Sequence, residues 1–229
     1  MVELLRVEAL RFATGAAPGG DGLSEGVSFT LAAGEQAALL SPRGPLRTGL
    51  MRALALLDRP EAGRILFGEV DLVRLPKARL QAARREYQYV GGNPARTLPS
   101  HFTVGAALAE PLRIHRLGTP AEQATRAAAV LTRLGLNAWL LRQSVRALSP
   151  ALRQLVSLAR ALSLEPRVLL TDDLTDFLEP AAAPPLVERL AALCRADGIA
   201  WLWTTADAAL ARRHSDRVLR LEAGRLQPA

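Results

Sequence analysis

Cysteine is almost missing from this 229-residue chain, with Cys194 standing alone. No internal disulfide can form, which agrees with a reducing compartment. No His/Asn motif accompanies that thiol, so a buried, inert side chain is expected rather than a nucleophile. Lysine is equally scarce. Lys77 is its single example, and the formal charge of +7 is carried by arginine. Aromatic residues make up 4% of the chain, too few to build stacking platforms, and no long basic block occurs, so nucleic acid is not favoured as a partner. The arginines alternate with Glu and Asp along helical stretches. That pattern fits solvated helix faces, or contact with an anionic membrane surface or an acidic partner. Uninterrupted apolar runs are also absent: the stretch around Leu155 to Leu164 is broken by Arg160, and no segment could span a bilayer. No charged-then-apolar leader opens the chain, which leads to the expectation of a cytoplasmic protein.

What is present is a globular composition, 49% hydrophobic and 22% charged, enough to bury the core of one domain over 1–229. "LLRVEALRF" and "GVSFTLAAGEQAALL" read as strands, the latter as two around a turn at Ala33-Gly34. A helix is expected from about Thr48 to Leu57, then a strand at "RILF", a helix with Pro76 in its first position, and a short strand at "YQYV". "GGNPARTLPSHF" is a loop rich in turn formers. Residues 103–163 read as helical almost throughout, with Thr119-Pro120 and Ser149-Pro150 as cap-plus-proline starts. "RVLLTDD" and "IAWLWTT" restore strand character around a helix from about Ala182 to Arg195, and "DRVLRLEAGRLQ" is a terminal hairpin. Strand–helix–strand alternation implies an α/β fold with a parallel core, N-terminal strands beside it, and the helical stretch 103–163 as an inserted subdomain.

Three stretches carry chemistry. "SPRGPLRTG", Ser41–Gly49, lies between a buried strand and a helix, the position of a phosphate-binding loop. "RVLLTDD" delivers Asp172 and Asp173 to the carboxyl end of a strand, where open α/β sheets bind ligands. These two residues are either ligand-facing groups or a pair of solvated carboxylates closing a strand. "LSPALRQLVSLARAL" places Ser149 at a helix start a short distance before that strand.

Taken in order, these segments resemble the ATP-binding subunit of ABC transporters nearly end to end. "NPARTLPSHFTVGAALAEPLRIHRLG" is similar to the dipeptide, oligopeptide and nickel importer branch, and "LSPALRQLVSLARALSLEPRVLLTDDLTDFLEP" resembles the signature, Walker B and D-loop block. The resemblance implies a P-loop NTPase-like core, ATP and Mg²⁺ as cofactors, a second ABC ATP-binding subunit as a homo- or heterodimer partner, membrane permease subunits, and a place at the inner face of the cell membrane.

The motifs themselves depart from the family. In G-x-x-x-x-G-K-S/T, Ser41 stands for the first glycine and Leu46 for the second, Arg47 replaces lysine, and Pro45 removes an N–H. Guanidinium for ammonium is not a conservative exchange. Gly44 and Thr48 survive. Asp172 matches the Mg²⁺ ligand, whereas Asp173 stands one methylene short of the catalytic Glu. Leu148, Ser149, Pro150, Ala151 and Leu152 replace LSGGQ, Gly92 the Q-loop glutamine, and Ala206 the switch histidine. Asp176, Phe177, Leu178 and Glu179 replace the D-loop residues. The expected result is no intact catalytic set at Asp173, Gly92 and Ala206, with Gly44, Arg47, Thr48 and Ser149 as residual nucleotide contacts and Asp172 and Thr48 as residual Mg²⁺ contacts. ATP and Mg²⁺ would bind weakly or not at all. This points to a structural or regulatory, pseudo-ATPase half of a peptide- or nickel-type import complex. The alternatives are a divergent but active ATPase and a soluble nucleic-acid-associated ABC protein. None of His101, His115 or His214 falls at the switch position; surface or structural roles are expected for them.

Overall fold

The computed structural model describes residues 3–13, 24–92 and 98–229. Two sheets meet. The first runs β2 (Val27–Ala32), β1 (Glu3–Arg11), β4 (Ala62–Phe67), β5 (Val70–Asp71), antiparallel throughout. The second runs β10 (Arg225–Pro228), β9 (Arg217–Glu222), β3 (Gln36–Leu40), β8 (Ala200–Thr205), β7 (Val168–Thr171), β6 (Tyr87–Val90). Its strands are parallel apart from β10, which pairs with β9 as the expected hairpin.

Strands β3, β7 and β8 are buried at every residue, which is why they read as continuous apolar runs instead of alternating ones. Their registers pair Leu40 with Thr205, Thr171 with Trp203, and Val90 with Thr171. Four chain segments therefore leave the sheet at one edge. They are the turn after β3, the carboxylates after β7, the loop after β6, and the turn after β8.

The helices are α1 (Pro45–Leu54), α2 (Lys77–Ala83), α3 (Val104–Ile114), α4 (Pro120–Arg133), α5 (Pro150–Leu162), α6 (Ala183–Asp197) and α7 (Ala208–His214). Helix α1 begins three residues before the expected Thr48 because Pro45, already locked near helical φ, occupies its first turn. Pro76 is the residue before α2, not its first member. Both Thr119 and Ser149 cap their helices as expected, Thr119 in a reciprocal capping box with Glu122. Between α4 and α5 the chain forms short 3-10 turns, at Ala138–Arg142 and Val145–Ala147. Helix α6 runs on to Asp197 and stops at Gly198, which adopts φ 68°. Helix α7 is an addition to the sequence reading. Its signal is Asp207, whose carboxylate accepts from the backbone N–H groups of Ala209 and Leu210. Residues 93–97 of the turn-rich loop lie outside the described residues.

One glycine fixes how β4 meets β1. Gly63 has φ +95°, and a Cβ there would stand 2.6 Å from Glu8 O, Ala9 O and Leu10 Cα, beside the register shift of β1 between Glu8 and Arg11. Backbone atoms cannot yield as a side-chain tip can. Gly63→Ala should therefore destabilise the protein by about 2 kcal/mol or more, read as a lowered denaturant midpoint at unchanged slope. A substitution that leaves the midpoint in place would show that the bulge relaxes around the added methyl.

Candidate functional site

The turn after β3 is anchored where Ser41 N donates to Thr205 O of the neighbouring strand, at 3.1 Å. Gly44 precedes α1, Pro45 and Leu46 form its first turn, and Arg47 comes third in the helix. The side chain of Leu46 is half-buried against the core that includes Phe12, Leu50 and Leu54.

Arg47 is the centre of the arrangement. A long cation at this position would ordinarily project into solvent, yet Arg47 is 1% exposed. Its Nη1 donates to Ser41 O at 3.1 Å and its Nη2 donates to Asp173 Oδ1. Its Nε lies 3.7 Å from Asp172 Oδ1. Asp172 is also buried, at 2% exposure, so the reading of two solvated carboxylates fails for it. Thr204 Oγ1 donates to Asp172 Oδ1 at 2.8 Å and accepts from the N–H of Asp173 at 3.0 Å. One threonine hydroxyl thus ties both acids to the end of β8.

Burial pushes the Asp172 carboxyl above the ordinary carboxylate range, while the Thr204 hydrogen bond and the Arg47 charge oppose that shift. Burial likewise lowers the guanidinium of Arg47, against the charges of Asp172 and Asp176. Each shift has desolvation as its leading cause, as expected where an ion pair has been taken out of water.

A second cross-link lies outside the first. Arg43 Nη2 meets Asp176 Oδ1 at 2.5 Å, bridging the turn after β3 to the turn after β7. It is more exposed than the inner cluster, and by ordinary surface standards contributes at most about 1 kcal/mol.

Gly92 makes room for this geometry. A Cβ on it would come within 2.6 Å of Asp173 Cβ, so a larger residue there requires the backbone of one of the two turns to shift. Asp173 itself takes φ 52°, a left-handed conformation that non-glycine residues adopt at some expense. Ala206 is exposed and follows Thr205 directly, so it joins the same sheet edge without adding a polar group. Ser149 is engaged otherwise. Its hydroxyl accepts from Leu152 N at 3.3 Å at the start of α5. That helix reaches the edge through Gln154, whose amide donates to Gly91 O at 3.3 Å.

Of the residues singled out in the sequence, the structure therefore gathers Arg47, Asp172, Asp173 and Gly92 at the edge where Gly44, Thr48 and Ala206 also lie. Sequence reasoning missed Thr204 and the Arg43–Asp176 link. The available signals were a threonine pair closing a buried strand and an arginine inside a turn whose other departures drew the eye. Cys194 is buried and its thiol is pushed up by that burial, as expected of an inert thiol. His214 is buried as well, a structural and not a surface histidine.

Comparison with known proteins adds an independent line. The family model described as "ABC transporter" matches residues 24–176. Among curated relatives, the glutathione import ATP-binding protein GsiA of Escherichia coli (strain K12) is 33% identical over 205 residues, 88% of this chain and 32% of the relative. The protein of the same name from Salmonella choleraesuis (strain SC-B67) is 34% identical over the same shares. This chain spans about a third of the length of these relatives. Among solved structures, a dimeric bacterial ABC transporter cassette superposes with a TM-score of 0.84 at 20% identity, covering 98% of this chain and 97% of that one. The cbiO1 protein of Clostridium perfringens superposes with a TM-score of 0.82 at 22% identity, over 99% and 88%. At these identities the likeness is one of fold.

Proposed function

Because the chain belongs to the ABC transporter family of ATP-binding domains, we propose that it is a nucleotide-binding-type subunit whose own arginine occupies the nucleotide site, so that it hydrolyses little or no ATP. In this reading it is the structural or regulatory half of an import complex for peptides or nickel. It pairs with a second ATP-binding subunit and docks on permease subunits at the cytoplasmic face of a membrane. Residues 103–163 are the inserted helical lobe of a single nucleotide-binding-type domain, 1–229. The relatives' printed names favour small peptides as the transported class. No helix among the described residues is long and apolar enough to cross a membrane.

The observation that carries the reading is the buried ion pair of Arg47 with Asp172 and Asp173. The site residues fit Mg-ATP poorly. A phosphate approaching Arg47 must displace two carboxylates and the Ser41 carbonyl. A Mg²⁺ approaching Asp172 must compete with a guanidinium already beside it and with the Thr204 hydroxyl. Pro45 has no N–H to offer, and the Ser149 hydroxyl caps its own helix.

Thermal unfolding with and without Mg-ATP tests this. A ligand present at about 100 times its Kd would stabilise the fold by roughly 2.7 kcal/mol. The expected shift at millimolar Mg-ATP is none. The double substitution Leu46→Gly with Arg47→Lys is expected to leave hydrolysis absent, because Gly92, Ala206 and the Ser149 segment are unchanged. A clear Mg-dependent shift in the parent protein, or turnover in the double variant, would move a divergent but active ATPase into first place. That second reading draws its support from the presence of Thr48, Asp172 and Asp173 at the motif positions.

A further inference from the structure

One stretch of the chain carries cations without intervening acids, and the fold leaves it uncovered. Helix α2 buries none of its residues. Along it and at its ends, Arg74, Lys77, Arg79, Arg84 and Arg85 are all exposed, and residues 72–85 contain no Asp or Glu. Beside this segment opens a cleft of about 730 Å³ whose walls carry Leu57, Leu72 and Leu80 together with Arg59 and Arg74 and the acids Asp58 and Glu61. Arg84 Nη2 donates to Leu56 O at 3.0 Å, which fixes the end of α2 to the opposite wall.

Two large side chains exposed in this neighbourhood are aliphatic, Leu57 at 49% and Val70 at 46%. The acids nearby are largely engaged: Asp58 with Arg52 at 2.6 and 2.7 Å, Asp71 with Arg74 at 3.4 Å, and Glu86 with Arg167 at 3.5 Å. Glu61 and Glu69 are exposed and make no ion pair among the described residues. Against them stand Arg59, Lys77, Arg79, Arg84 and Arg85, also without an ion pair among the described residues.

We propose that α2 and the mixed polar and aliphatic cleft beside it form a contact site for the anionic surface of a lipid bilayer. Exposed cations beside the exposed aliphatic side chains Leu57 and Val70 complement phosphate headgroups over the acyl boundary. Nucleic acid would instead want stacking groups, which this surface lacks. The inference is independent of whether the nucleotide site works. Arginine's weakly hydrated, planar head suits repeated contact with phosphate oxygens, and each basic side chain at an anionic surface adds attraction that salt screens.

The test is sedimentation of the purified chain with vesicles of phosphatidylcholine containing about one third phosphatidylglycerol, against phosphatidylcholine alone. Binding to the anionic vesicles only, falling with added salt, is expected. The triple reversal Lys77→Glu, Arg79→Glu, Arg85→Glu should weaken it by about a hundredfold. Leu57→Asp should weaken it while the low-salt electrostatic component persists. The reversal Arg212→Glu, Arg213→Glu on α7 should leave it within about twofold. All of these side chains are exposed, and unchanged thermal unfolding of each variant would show that the fold is intact. Equal loss from the α7 reversal would overturn the site in favour of net charge. So would retention of binding in the triple reversal. Failure to bind vesicles together with capture of polyglutamate would overturn it in favour of an acidic protein partner.

Discussion

Arg47→Met should destabilise the fold by about 3 kcal/mol at neutral pH, because removing one member of a buried ion pair strands the other. Arg47 and Asp172 are both almost wholly buried, so solvent cannot replace the lost charge. For a chain of this length the change lowers Tm by roughly 6 to 12 °C. The pH dependence has a definite sign. Burial already raises the folded-state pKa of Asp172, and losing the arginine removes one of the two influences that oppose the rise. A carboxyl whose folded pKa lies above its unfolded value takes up a proton on folding. Its contribution is fullest below the unfolded pKa and is lost as pH rises through the folded one. The deficit of Arg47→Met should therefore shrink as pH falls. Arg47→Met with Asp172→Asn, which removes both charges, should recover part of the loss at neutral pH. Additive losses in that double variant would mean that the two side chains do not interact. A working phosphate loop, whose cation awaits a ligand, gives no reason for such a coupling.

Trp203→Ala should cost about 3 to 5 kcal/mol. Trp201 and Trp203 are both fully buried on β8, with ring centroids 5.3 Å apart and planes 17° from parallel. Such stacking adds about 1 kcal/mol to the burial itself. Truncation also leaves the Ser215 hydroxyl without the indole N–H that donates to it at 2.9 Å. Trp203→Phe, which keeps most of the volume, should lose roughly half as much. Chemical denaturation of the three proteins measures the series. Near-equal losses for Ala and Phe would place the effect in the hydrogen bond instead of the packing. Because Thr204 follows Trp203 and binds both acids, Trp203→Ala should also weaken the coupling between Arg47 and Asp172. A double-mutant cycle in that background would detect the change.

The elements were legible because their signals are local. Continuous apolar runs at β3, β7 and β8, proline after Thr119 and Ser149, and Gly198 past α6 each act over a few residues. The boundaries of α1 and α2 slipped because proline can serve as cap or as first-turn residue with little to separate the two. Helix α7 was overlooked because seven residues make too little periodicity to read. The site was legible as positions and not as partners. Asp172, Asp173, Arg47 and Gly92 could all be named from their places in the chain, but their mutual engagement could not.

The order of strands and helices, the place of each motif within it, and the departures at Ser41, Pro45, Arg47, Gly92, Asp173 and Ala206 are properties of the chain read in one dimension. They follow from residue type and spacing, which folding does not alter. That Arg47 turns inward to two acids 125 and 126 positions away is not such a property. Nor is the exposure of every cation of the acid-free stretch 72–85 beside a cleft whose opposite wall comes from residues 56–63. Both depend on which strand ends share a sheet edge and which helix face remains uncovered. Charge acts over ångströms of space and not along sequence, so its consequences for this protein appear only where the fold brings the charges together.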